Sequence, residues 1–250
     1  MNMKKLFFSG LAVLAILTVG CSQELSENEK ALAEMNKAYQ AFLETKPSAD
    51  SILAFTDKFD ELSWQFEQEG DLNTAIDCEK EMLRIYDVVW NGPVHRKAFR
   101  MWSIGYKYRE LEVTDSADSY LNNAIEMSLE CTKDSGEMSE STKYFLSNCY
   151  QDLALLYEGK DDDKAIRYLE AVINYQPLIS HQDSLVIATN ADLLANIYDL
   201  RDEYADALLN YKIALRLYEK ACPDSTTLIS DVREAIADME KALADNPDEE

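Results

Sequence analysis

The sequence predicts an all-α protein built from repeated helical hairpins, and three observations carry that prediction. First, one set of residue types recurs four times: a small side chain, an aromatic three positions later, and an alanine eight or nine positions beyond it. The sets are Ser63/Phe66/Ala75, Gly105/Tyr108/Ala117, Ala154/Tyr157/Ala165 and Ala195/Tyr198/Ala207. Between aromatic and alanine lies a polar, turn-prone stretch: Gly70-Asp71, Thr114-Asp115, Gly159 to Asp163, and Arg201 to Glu203. Two helices cross closely only where a small side chain faces a large one, and each hairpin must bury its remaining apolar face on the next. Second, 7 glycines and 5 prolines are few for 250 residues. Third, Ala, Leu, Glu, Lys and Tyr recur at helical spacing, and β-branched residues do not alternate with polar ones.

The elements follow in order. A first helix is expected over residues 27–44, where Leu32, Met35, Ala38, Tyr39 and Phe42 keep the i, i+3, i+4, i+7 spacing. Lys46-Pro47-Ser48 ends it, because proline disfavours helix in the residue before it. A helix over 51–69 turns at Gly70-Asp71 into another over 73–88. Asn91-Gly92-Pro93 is the strongest turn signal of the chain. Helices are predicted next at 94–111 and 116–130, then a flexible connection over 132–141 with Gly136 and several serines. Pairs at 142–158 and 163–176, with Pro177 as a stop, and at 183–200 and 204–221 complete the repeats. Cys222-Pro223 closes them. A helix over 226–244 presents Leu228, Val232, Ile236 and Leu243 to the repeats and acids elsewhere, as the polar-faced end of a stack requires.

These residues resemble the tetratricopeptide repeat (TPR) family, whose pattern has a small residue at position 8, an aromatic at 11, a turn near 15, alanine at 20, and small or apolar residues at 24 and 27. The fourth repeat matches best, with Ala195, Tyr198, Tyr204, Ala207, Tyr211 and Ala214. The second supplies Gly105, Tyr108, Ala117, Leu121 and Ala124. The third supplies Ala154, Tyr157, Ala165, Leu169, Val172 and Pro177, one residue short in its turn. The first has Ser63, Phe66, Gly70, Ala75 and Met82, but Glu79 holds the apolar position 24, a departure read as the mark of a repeat packed on the N-terminal helix. The alanines stand 42, 48 and 42 residues apart, against 34 in a standard repeat. Such lengthening is known in the extended repeats of kinesin light chains and of some bacterial regulators. The resemblance covers about residues 50–220 and implies a right-handed superhelical solenoid of about four extended TPR hairpins with N-terminal and C-terminal capping helices.

The N-terminus carries an address. Lys4 and Lys5 precede an apolar run from Leu6 to Val19, followed by Gly20 and Cys21. This is the order of a secretory signal peptide, and the run is short for a membrane-spanning helix of about 20 residues. Leu17-Thr18-Val19-Gly20-Cys21 resembles the lipobox of bacterial lipoproteins, with Thr18 where leucine is usual, which implies lipidation of Cys21. The alternatives are a plain secretory signal cut nearby and an uncleaved anchor. No aspartate follows Cys21, so the inner-membrane retention signal of enteric lipoproteins is missing. Glu24, Glu27 and Glu29 resemble the surface-export signals of some Bacteroidetes lipoproteins, and equally a solvated tether. The expected organisation is a lipoprotein signal over 1–20, a tether over 21–26, an N-terminal helix over 27–50, repeats over 51–221, a capping helix over 222–245 and an acidic tail over 246–250. The expected location is the bacterial cell envelope, lipid-anchored at the outer membrane on its periplasmic or surface side.

The chain carries a formal charge of −23. Loss of residues 1–20 removes two lysines and no acid, leaving 22 basic against 47 acidic side chains, or −25. Such a field disfavours nucleic acid and anionic lipid as partners. It suits solvated helix faces, and also a basic partner.

Sites of chemistry are hard to find. His95 and His181 have no companion at metal-ligand spacing, and no GxGxxG, P-loop, GxSxG or HExxH occurs. Asp161-Asp162-Asp163 lacks the spaced oxygens of a calcium loop and reads as a tight turn whose last aspartate caps the next helix. Cys78, Cys131, Cys149 and Cys222 remain besides Cys21. Cys131 and Cys149 flank the flexible connection and are the most plausible disulfide pair; otherwise each is a small buried hydrophobe. The expectation is no enzyme, no metal and no cofactor.

What remains is a binding groove. In TPR proteins the first helix of each repeat lines a concave surface through positions 2, 5, 9 and 12. The resemblance places there Asp57, Asp60, Trp64 and Glu67; Phe99, Trp102, Tyr106 and Arg109; Asn148, Gln151, Leu155 and Glu158; and Thr189, Asp192, Asn196 and Asp199. The chaperone-type carboxylate clamp is absent, because position 5 holds Asp60, Trp102, Gln151 and Asp192. Trp64, Phe99, Trp102, Tyr106 and Arg109, with Gln151 and Asn196, are the candidate groove residues, since such aromatics and arginine dominate binding hot spots. The alternative is that the rings only pack neighbouring long helices. Two functions follow: an envelope scaffold binding a protein or peptide, or a sensory module binding a small molecule or glycan.

Overall fold

The computed structural model describes residues 25–89, 95–133, 138–176 and 181–245. The signal, Cys21, the acidic tail, the Asn91-Gly92-Pro93 turn and Pro177 lie outside them. Ten α-helices, packed as sequential antiparallel pairs, make up the described regular structure: α1 Glu27–Glu44, α2 Ala49–Gln68, α3 Leu72–Val89, α4 His95–Glu110, α5 Thr114–Glu130, α6 Glu140–Tyr157, α7 Asp162–Tyr175, α8 His181–Leu200, α9 Tyr204–Ala221 and α10 Thr226–Asp245. The chain divides into two compact units, residues 1–127 and 128–250.

Local chemistry explains where these helices begin. Ser26 and Glu29 form a reciprocal capping box on α1. Ser48 and Ser139 accept from the backbone N–H of Ser51 and Thr142, and Asp71 accepts from the N–H of Thr74. Three hairpins share one turn. The N–H groups of Asp71, Val113 and Glu203 donate to the carbonyls of Phe66, Tyr108 and Tyr198, so each repeat aromatic also anchors its own turn through its backbone. The residue before each of these donors has positive φ: Gly70 at 80°, Glu112 at 59° and Asp202 at 60°. The third hairpin is one residue shorter and turns at Gly159, φ 66°.

Two expectations need correction here. Thr114-Asp115 is not the turn but the first turn of α5; the reversal occurs over 111–113. The cap of α7 is Asp161, not Asp163, because the shorter turn leaves Asp161 within 3.1 Å of the Lys164 N–H. Asp163 is left on the surface, where its carboxylate meets Arg201 at 2.6 Å.

In the first unit, α1 lies on α2 and α3. Tyr39 and Leu43 join Ile52, Phe55 and Phe59 of α2 and Met82, Ile85 and Tyr86 of α3 in one core cluster. Its rings meet at centroid distances of 5.1 Å (Tyr39–Phe55) and 6.0 Å (Tyr39–Phe59). The small residues do what the pattern requires. A Cβ on Gly105 would stand 2.7 Å from Leu121 Cγ and 3.1 Å from the Leu121 backbone nitrogen, so only glycine lets α4 lie this close to α5. Ser63 Oγ instead donates to the Ala75 carbonyl at 3.2 Å. In the second unit Ala188, Ala191 and Ala195 of α8 meet Ala207, Tyr211 and Ala214 of α9, and Ile229, Val232 and Met239 of α10 close the cluster.

Candidate functional site

The candidate residues fall in both units: Trp64, Phe99, Trp102, Tyr106 and Arg109 in the first, Gln151 and Asn196 in the second. None of the mapped first-helix positions is buried. Trp64 is 65% exposed and Phe99 45%, so neither ring serves as packing between neighbouring helices. On α4 the rings form a ladder, Phe99 to Trp102 at 5.3 Å and Trp102 to Tyr106 at 6.3 Å. The Arg109 guanidinium lies 5.2 Å from the Tyr106 ring centre, and that of Arg100 lies 5.5 Å from Phe99.

Two ion pairs fix how α2 and α4 lie. Arg100 Nη1 meets Asp60 at 2.5 Å and Lys107 Nζ meets Glu67 at 2.9 Å. Both members of each set are seven residues apart on their helix, about two turns, so the helices run side by side in the same direction. At about 100° per residue, Asp57, Glu61 and Trp64 turn from this seam to one side of α2. Phe99, Trp102 and Tyr106 turn from it to the matching side of α4. The two faces therefore open the same way. An open depression of about 770 Å³ is lined on α2 by Asp57, Asp60, Glu61, Trp64 and Gln65.

Beneath the seam lies a buried charge network that sequence reasoning missed. Glu79 of α3 is 2% exposed, as is Lys107. Glu79 Oε1 accepts from Ser103 Oγ at 2.7 Å and Lys107 Nζ at 3.2 Å, with Arg100 at 3.7 Å. Lys107 also donates to Ser103 Oγ at 2.9 Å. Glu79 Oε2 is buried without a hydrogen-bond partner. Burial raises the Glu79 carboxyl above the ordinary glutamate value, with Lys107, Ser103 and Arg100 pulling the other way. The departure of Glu79 from the repeat pattern thus answers to α4. The N-terminal helix packs on this repeat elsewhere, Ala31 and Leu32 against the cluster of Phe66, Ala75 and Cys78. A signal for the network existed: Lys107 stands where the later repeats carry the buried Leu156 and Ile197.

In the second unit the polar candidates are already engaged with their own fold. Asn196 donates to the Asp192 carbonyl at 2.8 Å and accepts from Tyr211 Oη at 3.0 Å. Tyr218 Oη lies 3.4 Å from Asp192, whose carboxyl is raised by burial against that bond. Tyr211 is pushed up to about 12 by burial and by the charges of Asp199 and Asp192. Gln151 is half-buried on α6. A second buried polar chain, Ser147 to Gln176 at 2.7 Å and Gln176 to Asp183 at 2.9 Å, ties α6 to α8 behind these positions.

The four described cysteines are free thiols, so Cys131 and Cys149 are not paired; Cys131 is exposed and Cys149 buried. Burial and the neighbouring acids push the Cys78 thiol up to about 12. Among the described residues no group of three or more His, Cys, Asp or Glu side chains is placed to hold a metal ion. No helix among them is long and apolar enough to cross a membrane.

The backbone is similar to that of two solved TPR-like proteins. BtubC (BKLC) from P. vanneervenii superposes with a TM-score of 0.59 at 15% identity, over 90% of this chain and 87% of that one. The apo form of RapI superposes with a TM-score of 0.60 at 14% identity, over 98% of this chain and 68% of that one. At these identities the likeness establishes the fold, a TPR-like array of helical hairpins. No protein-family model matches the chain, and no curated protein matches it in sequence.

Proposed function

We propose that this chain is a TPR-like scaffold that binds a protein or peptide through the open face of α2 and α4, performs no catalysis, and is held in the bacterial envelope, at the outer membrane, by a lipid on Cys21. The observation that carries the binding reading is Trp64, 65% exposed beside an acid-lined depression, with Phe99, Trp102 and Tyr106 opening to the same side. A large indole left in water on a rigid helix forfeits burial that the fold could otherwise use, and exposed aromatic surface of this kind marks interaction sites. The helices that present it are fixed by two ion pairs and a buried network, which favours a preformed surface. The anchor rests on the Leu17–Cys21 stretch alone.

A second reading has its own support. Polar groups around an exposed ring, Asp57, Asp60, Glu61 and Gln65 about Trp64, suit a sugar stacked on the indole. Crosslinked affinity capture from the native membranes, with wild type beside a Trp102→Ala/Tyr106→Ala variant, separates the two. The scaffold predicts one stoichiometric protein that the variant loses while its helicity persists. Equal capture by both would remove the assignment to this face, and a thermal shift with an oligosaccharide in the absence of any captured protein would favour the second reading. A Cys21→Ser variant should stop incorporating labelled palmitate; unchanged labelling would refute the anchor.

A further inference from the structure

We infer that the segment taken by the α2–α4 face is cationic and sets an arginine or lysine against Trp64, between Asp57 and Glu61. The inference rests on the reading of this face as a binding surface and adds the chemistry of what it binds. Asp57, Asp60 and Glu61 crowd three carboxylates onto one side of α2 at spacings of three and four residues. Like charges at that spacing oppose helix formation. Asp60 has its cation in Arg100, and Glu67 and Glu79 share Lys107. The side chains of Asp57 and Glu61 make no hydrogen bond or ion pair among the described residues. Lys58, the adjacent cation, lies over the Phe55 ring at 4.6 Å instead, so neither carboxylate has an ion-pair partner at the edge of the depression.

The rings argue in the same direction. Phe99 and Tyr106 each already carry a guanidinium from the chain itself, Arg100 at 5.5 Å and Arg109 at 5.2 Å. Trp64, the best ring for such a contact, has no cation over it among the described residues, and it stands one helical turn from Asp60 and Glu61. An indole face with one unpaired carboxylate a turn before it, Glu61, and a second, Asp57, about two turns before it matches a guanidinium or ammonium group on both counts. The chain's formal charge of −23 repels an anionic segment before contact and speeds the approach of a basic one. Trp102 and Phe99 then offer apolar surface to the neighbouring side chains of that segment.

The test uses a fluorescein-labelled nonapeptide of alternating arginine and leucine, its counterpart with glutamine for arginine, and spermine. Each is titrated by fluorescence anisotropy or competition against the full chain in detergent micelles. The variants are Asp57→Asn/Glu61→Gln, Trp64→Ala, Trp102→Ala/Tyr106→Ala, and a control that removes equal charge from exposed positions of α10, Asp231→Asn/Glu234→Gln. The expected result is that the arginine peptide binds, that the α2 charge pair and Trp64→Ala each weaken it about tenfold, and that the α10 pair changes it less than about twofold. Equal loss from the α10 pair would overturn the inference in favour of the long-range field. Equal binding of the glutamine peptide, still lost on Trp102→Ala/Tyr106→Ala, would overturn the cation preference and leave the face standing. Spermine binding that depends on Asp57 and Glu61, with no arginine-peptide binding, would replace the segment by a small cation. Binding of the peptides indifferent to every α2 and α4 variant would overturn both the inference and the face. All the substituted α2 carboxylates are on the surface, so helicity and melting temperature should be unchanged or higher.

Discussion

Glu79 stands where the matching positions of the other repeats carry Leu121, Leu169 and Tyr211, and Lys107 where later repeats carry Leu156 and Ile197. The two departures are one feature, a charge pair filling a slot that the fold elsewhere fills with hydrocarbon. Lys107→Met leaves Glu79 buried with Ser103 as its donor and Arg100, at 3.7 Å, as its one nearby cation, and should lower unfolding stability by about 3–5 kcal/mol. Glu79→Leu/Lys107→Met restores the ordinary repeat pattern and should come within about 1 kcal/mol of wild type or exceed it. Urea unfolding checks both, and a double variant as weak as the single one would show that the slot is built for charge. The pH dependence has a definite sign. Burial holds the Glu79 carboxyl above its ordinary value, so the folded chain keeps that proton more tightly than the unfolded chain. The stability this group contributes is full below the ordinary glutamate value and is lost as pH rises through the folded value. Lys107 opposes the upward shift, so its removal enlarges it. The deficit of Lys107→Met relative to wild type should therefore shrink from pH 7 to pH 4; a constant deficit would contradict the assignment.

At the scale of the hairpin, the set of small residue, aromatic and alanine was legible because each member acts over short range. The alanines Ala75, Ala117, Ala165 and Ala207 are all fully buried, and Gly105 takes Leu121 against its bare Cα. Gly105→Ala must push α4 from α5, at a cost of about 1–3 kcal/mol, with a matching loss of Tm. Scanning calorimetry that showed no loss would mean that the two helices have room to separate. What local signals misplaced were alternatives of equal chemistry. Any of Asp161, Asp162 and Asp163 can cap a helix, and the turn one residue shorter selects Asp161. Thr114-Asp115 reads equally well as a turn or as the first turn of a helix; Glu112 at positive φ shows that the reversal comes earlier. The ties between α2, α3 and α4 had no spacing to read, since Arg100, Ser103 and Lys107 find Asp60, Glu67 and Glu79 only after the helices pack.

For the whole molecule, the fold class and the order of the ten helices could be read from periodicity, and the likeness to BtubC and RapI agrees with that reading. The acid excess speaks to partners and solubility rather than to fold. Candidate groove residues were legible unevenly. The repeat resemblance placed Trp64 and Phe99 on an open side, and the structure leaves both exposed. Asn196 had the same spacing, but Tyr211 and the Asp192 carbonyl occupy its amide, a cross-helix pairing invisible in one-dimensional order. The account's central claim is that the α2–α4 face contacts a partner. Site-specific photocrosslinking tests it most directly, with a benzophenone amino acid placed at Trp64 and, in a separate protein, at Asp77 on the solvent face of α3. A single protein adduct in the native envelope from position 64 and none from position 77 is the predicted result. Adducts from position 77 alone, or the same adducts from both, would contradict it.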